Sequence, residues 1–246
     1  MVLYVAILGI ALFLYERLRP SKPFISVPKW YFRAIFFNLL ALIIFLIGSV
    51  TWDIWFQNIV LLKVGNNLSD PVKGLLVYVA YHFFFYWWHR IKHKNPTLWR
   101  YFHQIHHSPQ RIEVLTANYS HPLDMISSLI MGSAISYTFF GLNIEATAWF
   151  SFYLGSMGYF LHSNIKVPHW VGYFIQTPQM HRIHHEYGKH DSNYCDIVWF
   201  DMLFGTYSNP KETCEKCGFS SDKESRILDM LLCKNIHKKK YKFGKI

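Results

Sequence analysis

Two five-residue stretches, His103-Gln104-Ile105-His106-His107 and His181-Arg182-Ile183-His184-His185, share the spelling H-x-I-H-H, and the apolar stretch between them is long enough to cross a membrane twice. Whatever architecture the chain adopts has to bring these two segments together. On a helix, positions i, i+3 and i+4 lie on one face, so each pentad points three imidazoles into one small volume. His89-Arg90-Ile91-Lys92-His93 adds two more at i and i+4. A lone histidine is more often a cap or a satisfied interior polar group than a ligand. Here eight of fourteen fall in three short helical patterns, and neutral imidazole is the commonest metal ligand.

The rest of the chain sets the medium in which those segments meet. A composition of 52% hydrophobic and 19% aromatic residues with only 16% charged reads as a polytopic, all-α membrane protein rather than a soluble enzyme. The formal charge of +10 then bears first on orientation and anionic lipid. No nucleic-acid motif accompanies it. The four cysteines, Cys195, Cys214, Cys217 and Cys233, show no framework of the secreted type, so a reducing cytoplasmic environment is expected.

In chain order, Val2 to Tyr15 is apolar and runs into Glu16-Arg17-Leu18-Arg19-Pro20, the flank of a retained anchor helix. The basic loop Arg17, Arg19, Lys22, Lys29 and Arg33 should be cytoplasmic. Ala34 to Val50 reads as a second span, and Ile54 to Leu62 as a shorter run lying along the far interface or re-entering. Gly65-Asn66-Asn67 and Asp70-Pro71 mark an exposed loop. Gly74 to Trp88 returns and delivers His89 and His93 to the cytoplasmic side, flanked by Arg90, Lys92 and Lys94. The polar segment Asn95 to Pro122 carries the first pentad at head-group level. Met125 to Phe140 and Ile144 to Leu161 flank Gly141-Leu142-Asn143 as a helical hairpin, with His162 at its end at the depth of His89. About five membrane helices result, with a cytoplasmic histidine-rich cap. The expected organisation is an anchor over 1–73, a catalytic part over 74–210 and a basic tail over 211–246. In that tail Lys234, Lys238, Lys239, Lys240, Lys242 and Lys245 suit anionic lipid or plain solvent, and Cys214-Glu215-Lys216-Cys217 is at most half a zinc knuckle.

Eight imidazoles exceed the needs of one ion, so two ions are the economical count. Thiolate-free donors admit iron, zinc, copper or manganese. Position narrows the choice: a site at the mouths of membrane helices can take a lipid chain from the bilayer and reductant from water. Oxidising an unactivated C–H bond belongs to iron with O2 more than to zinc. A membrane zinc hydrolase is the rival enzyme. A metal transporter would line a path through the spans, where only His82 lies, either facing the cavity or packed among Tyr81, Phe83, Phe84 and Phe85. His169 reads as an interface residue.

The order HxxxH, HxxHH, HxxHH, with Trp99-Arg100-Tyr101-Phe102-His103, Ser120-His121-Pro122-Leu123-Asp124, Leu161-His162-Ser163-Asn164, Thr177-Pro178-Gln179-Met180-His181, His190-Asp191-Ser192-Asn193-Tyr194 and Phe204-Gly205-Thr206-Tyr207, resembles the fatty acid hydroxylase superfamily, which includes sterol desaturases. The resemblance covers roughly residues 74 to 210. Around His162 and Thr177-Pro178 it is closer to the bacterial sterol-desaturase-like and alkylglycerol monooxygenase branch than to the sphingolipid hydroxylases. Cys195 stands where the family usually has a glycine. The resemblance implies a di-metal centre, di-iron when active, that uses O2 and two electrons to hydroxylate or desaturate a lipid; because imidazole sites can exchange metals, zinc is possible in purified protein. It carries the ligand role onto His89, His93, His103, His106, His107, His181, His184 and His185, with His162 as a further ligand. His121, and His190 with Asp191 and Asn193, either orient ligands or serve as local turn and capping residues. With no fused cytochrome b5 segment, electrons are expected from a separate donor such as cytochrome b5 or a ferredoxin. The expected location is a bacterial inner membrane or the endoplasmic reticulum, with the metal on the cytoplasmic face.

Overall fold

All regular structure in the computed structural model is helical among the residues it describes, 1–64 and 67–237. Gly65 and Asn66 of the expected turn, and the tail residues Lys238, Lys239, Lys240, Lys242 and Lys245, lie outside the described residues. The long helices are α1 (Val2–Leu18), α2 (Trp30–Ser49), α4 (Asp70–Lys94), α6 (Pro122–Ser133) and α7 (Ile144–His162). Shorter ones are α3 (Trp52–Gln57), α5 (Pro96–Leu98), α8 (Pro178–His184), α9 (Val198–Leu203), α10 (Ser221–Glu224) and α11 (Ile227–Leu231).

The buried positions of α4 recur every three or four residues: Gly74, Val77, Tyr78, Tyr81, His82, Tyr86, His89, Lys92 and His93. That stripe is aromatic at its first end and imidazole-bearing at its last, so one helix face is both core and ligand carrier. α7 lies against it, started by Asn143, whose side-chain oxygen accepts from the Ala146 N–H at 2.8 Å. Gly74 permits the close approach, since a Cβ there would sit 2.7 Å from the Phe150 backbone nitrogen and 2.8 Å from the Ala146 carbonyl oxygen. α1 covers another side of α7, and α2 packs on α6. The expected hairpin therefore exists in sequence, but its arms have different principal neighbours: α6 faces α2, while α7 faces α4 and α1.

Glu16, read from sequence as the flank of an anchor, is fully buried. Its carboxylate accepts from the backbone N–H groups of Val114 and Asn164, at 3.2 Å and 2.8 Å to Oε2. Arg17 reaches Glu113 at 2.7 Å, and Trp30 Nε1 donates to the same carboxylate at 2.7 Å. The first two helices are thus tied to the segment that comes after the first pentad.

The run Trp30–Gln57, α2 continuing through a turn into α3, is the one helical stretch among the described residues long and apolar enough to cross a membrane, at 28 residues. On that measure the expectation of about five spans is met once. After α3, the chain runs without regular structure and docks on the far end of the α6 arm, with Leu61 N–H donating to Thr138 O and Val64 N–H to Phe140 O.

The first pentad departs from the expected α-helix. Trp99–His103 forms a π-helical turn, in which Gln104 N–H reaches back five residues to Trp99 O, and residues 104–107 continue as hydrogen-bonded turns. The wider turn inserts one residue's worth of rotation and re-aims the side chains of the next turn, His106 and His107 among them. The second pentad does lie on a helix, α8, with Thr177 capping its start and His185 just past its end.

Candidate metal centre

Nine histidines converge in two groups. His89, His93, His103, His107 and His184 form one, His106, His162, His181 and His185 the other, and within each group the candidate ligand nitrogens all lie within 4.8 Å of one another. All nine are buried. Adjacent residues diverge, His106 and His107 going to different groups, as do His184 and His185. Each pentad therefore contributes to both groups, and the His107 and His185 rings stack at 4.3 Å between centroids.

Hydrogen bonds at the outer ring nitrogen place the protons. His89 Nδ1 donates to Tyr194 O at 2.7 Å, His103 Nδ1 to Asp124 Oδ2 at 2.8 Å, and His184 Nδ1 to Ser192 O at 2.7 Å. His162 Nδ1 donates to Gly158 O at 2.8 Å and His106 Nδ1 to Tyr119 O at 3.3 Å. Each partner can only accept, so each of these rings carries its hydrogen on Nδ1 and presents a lone pair at Nε2. The lone pairs then face one another: His89 Nε2 and His103 Nε2 are 2.8 Å apart, and His106 Nε2 and His162 Nε2 are 3.3 Å apart. Two further short Nε2 contacts, 2.9 Å between His181 and His162 and 3.1 Å between His185 and His181, complete the second group.

Opposed lone pairs repel unless a cation lies between them. A proton is the poorer candidate, because burial holds His103, His106, His107, His181 and His185 well below the usual imidazole range and lowers His184 to about 3. With bonds of about 2.1 Å, two imidazole nitrogens on a common ion at 90° to 110° lie about 3.0 to 3.4 Å apart, close to the separations here. Both nitrogens of His93 and His107, and Nε2 of His184, are buried without a hydrogen-bond partner, a costly state that coordination relieves at one nitrogen of each ring. The residues fit metal ions.

Several supporting groups were not singled out as site residues from sequence. Asp124, near the start of α6, accepts from His103, from Lys92 Nζ at 2.7 Å and from Ser120 Oγ at 3.0 Å. Lys92, which reads in sequence as a basic flank, is 1% exposed, because it sits between His89 and His93 on the inward face of α4. An acid in a first helical turn ordinarily reads as a dipole partner, so nothing local marked Asp124 as a ligand-orienting group. His82 is buried with Nε2 2.9 Å from Asp196 Oδ2, to which Tyr78 OH also donates at 3.1 Å.

The four residues left open between orienting ligands and shaping turns divide. His121 caps α6, its Nδ1 accepting from Leu123 N–H and its Nε2 donating to Leu231 O. Asn193 adopts φ +57°, and its side chain and backbone bind Met180 O, Ser208 and Gln176, holding the return loop against α8. His190 Nδ1 donates to His184 O at 3.1 Å, with its ring 4.5 Å from that of His107. Asp191 is exposed. His169 donates to Asn209 O and belongs to a separate turn.

A cavity of about 930 Å³ reaches this centre. Its walls are apolar side chains of α1, α2, α4 and α7, among them Val5, Phe13, Leu39, Phe45 and Phe150, and its polar end includes His89, His103, His106, His162 and His181. The arrangement is two adjoining histidine groups that could hold metal, opening on a largely apolar cavity.

The family model for fatty acid hydroxylase matches residues 74–206. Ornithine lipid hydroxylase OlsE of Rhizobium tropici is 30% identical over 146 residues, 56% of this chain and 42% of that protein. Alkylglycerol monooxygenase of Xenopus tropicalis is 29% identical over 152 residues, 58% of this chain and 32% of its own length. A very-long-chain aldehyde decarbonylase, GL1-11 of Oryza sativa subsp. indica, is 30% identical over 157 residues, 58% of this chain and 56% of that protein. The chain thus matches less than two thirds of the length of each of these relatives. No solved structure matches it. The family model takes in just over half of the chain and all nine converging histidines, and the protein belongs to the fatty acid hydroxylase family.

Proposed function

We propose that this protein is an integral membrane oxygenase that holds two iron ions on His89, His93, His103, His107 and His184 and on His106, His162, His181 and His185. Its reaction is the hydroxylation or desaturation of a lipid C–H bond, with O2 as co-substrate and electrons from a separate donor such as cytochrome b5 or a ferredoxin. The observation that carries the reading is the set of opposed, unprotonated Nε2 atoms at the end of an apolar cavity. Bound iron supplies the reduction of O2 that makes an unactivated C–H bond attackable. The residues of the chain do the rest. Asp124 and the carbonyls of Tyr194, Tyr119, Gly158 and Ser192 keep protons on Nδ1, so that Nε2 stays available at neutral pH. The walls contributed by α1, α2, α4 and α7 exclude water and align an acyl or other hydrocarbon chain with its end toward the histidines. The outward face of α2, with Phe32, Phe36, Ile43 and Leu46 exposed, suits lipid, and residues 74–210 form the catalytic part with its centre on the cytoplasmic side.

The reading is tested by metal analysis of protein purified without O2, together with mass spectrometry of cell lipids with and without expression under isotope-labelled O2. Wild type should carry two equivalents of iron, and His93→Ala and His162→Ala about one each. The lipid change should require O2. An unchanged lipidome with no iron in any preparation, or a lipid change that persists without O2, overturns it, the latter in favour of hydrolysis.

A further inference from the structure

Cys214-Glu215-Lys216-Cys217 is a motif that the histidine centre does not absorb. The two sulfurs lie 3.4 Å apart, both side chains are buried, and Ile112 joins them in a small apolar cluster. No third His, Cys, Asp or Glu among the described residues completes a metal site with them. A zinc knuckle is therefore not what holds the pair together.

The loop does so, through one side-chain and three backbone hydrogen bonds to both pentad segments. Thr213 Oγ1 donates to Gln179 O, Tyr187 N–H to Lys216 O, Gly218 N–H to His185 O and Phe219 N–H to Ser108 O. Gly218 has φ +73°, and a Cβ there would lie 2.2 Å from Pro109 O, so the turn after Cys217 seats directly on the chain leaving the first pentad. Both sulfurs point at one atom, the Arg182 carbonyl oxygen, 3.1 Å from Cys214 Sγ and 3.5 Å from Cys217 Sγ. That carbonyl is in the last turn of α8, where helix carbonyls lack helical partners, and Glu186 N–H goes instead to Ile183 O. The thiols thus finish the end of the helix that carries His181 and His184 and leads into His185.

We propose that Cys214 and Cys217 are a redox-active dithiol that exchanges with disulfides and, on closing, loosens the end of α8. Cys214, as thiolate, attacks one sulfur of a disulfide R–S–S–R, whose S–S bond breaks to release one thiolate that takes up a proton. Cys217, its proton given to water, attacks the Cys214 sulfur of the mixed disulfide and expels the second thiolate. The pair loses two electrons and two protons, and R–S–S–R gains them as two thiols. The hydrogen bond given by Cys217 lowers the Cys214 thiol and raises that of Cys217, consistent with Cys214 attacking first. Closing the gap from 3.4 Å to about 2.05 Å is a small movement within a tethered loop, and it strips the Cys214 S–H from Arg182 O. Cys195 and Cys233 have no cysteine partner and serve as internal controls. Neither the metal nor the lipid reaction proposed above is needed for this exchange.

The test equilibrates the full chain, purified in detergent with its metal, in mixtures of oxidised and reduced glutathione, and reads intact mass, alkylation of each cysteine and amide hydrogen exchange. Excess oxidised glutathione should remove two hydrogens from the chain and protect Cys214 and Cys217 together, leaving Cys233 alkylatable. Exchange over residues 182–187 should quicken several-fold and return with dithiothreitol. Cys217→Ser should trap glutathione on Cys214, and the Cys214→Ser, Cys217→Ser double variant should show no redox response in 182–187. The wild-type readouts stand even where a variant misfolds. Overturning results are Cys214 and Cys217 that alkylate independently at every ratio, a disulfide that leaves exchange over 182–187 unchanged, or protection that is lost with a zinc chelator in reduced protein.

Discussion

Asp124 does two jobs that conflict if its charge is removed. It neutralises the buried Lys92 ammonium and holds the His103 proton on Nδ1. Asp124→Asn keeps the shape but leaves an uncompensated buried cation, a loss of about 3–5 kcal/mol by the usual cost of breaking such a pair. The expected outcome is a large drop in thermal unfolding temperature together with loss of metal from the group containing His103. Asp124→Asn combined with Lys92→Met should recover much of the stability while metal binding stays weakened, since the ring of His103 remains free to take the other tautomer. Equal recovery of both properties would show that Asp124 acts on stability alone. The eight motif histidines stand out in sequence by their helical spacing, although the fold sends His106 and His107, and His184 and His185, to different groups. Asp124 and the accepting carbonyls do not stand out, since a carbonyl has no residue code and a first-turn acid has a sufficient local explanation.

Among the elements, the contact between α4 and α7 sets the distance from His89 and His93 to His162. Gly74 controls it, facing the backbone of Phe150 and Ala146 rather than a movable side-chain tip. Gly74→Leu should push the helices apart at a cost of about 1–3 kcal/mol. The accompanying loss of metal affinity should fall on the group with His162, more than on the group confined to α4, the first pentad and α8. Thermal unfolding and metal titration check both halves of that expectation. The π-helical turn Trp99–His103 was hidden in sequence for a related reason. Its residues are as compatible with an α-helix, and the wider turn is selected by where His103, His106 and His107 must point.

At the scale of the whole molecule, burial of so many neutral imidazoles couples stability to acidity. His184 and His190 are lowered to about 3 and about 4 from an unfolded value near 6.5, so the unfolded chain binds more protons below that pH. Stability of the metal-free chain is therefore fully present above about pH 7 and falls as the pH drops from about 6.5 toward 4. The slope approaches about 1.4 kcal/mol per pH unit for each such group. Denaturant unfolding of chelated protein across that range should show the fall, and metal-loaded protein should shift it to lower pH. A flat profile would mean that the histidine core opens to water when metal leaves.

By itself the sequence determined the all-helical class and the family, since both rest on residue type and short-range spacing, and it marked the histidines that the fold gathers. Only the tertiary structure decided how nine histidines divide into five and four, with His106 parted from His107 and His184 from His185. It also turned Lys92 and Glu16 from flanking charges into buried ones, and set two cysteines against the end of α8. Those outcomes depend on pairings such as Glu16 with Asn164 and Lys92 with Asp124, between residues far apart in the chain. Local spacing carries no information about such pairings, because the free energy that selects them, burial offset by hydrogen bonding, exists only once the helices have met.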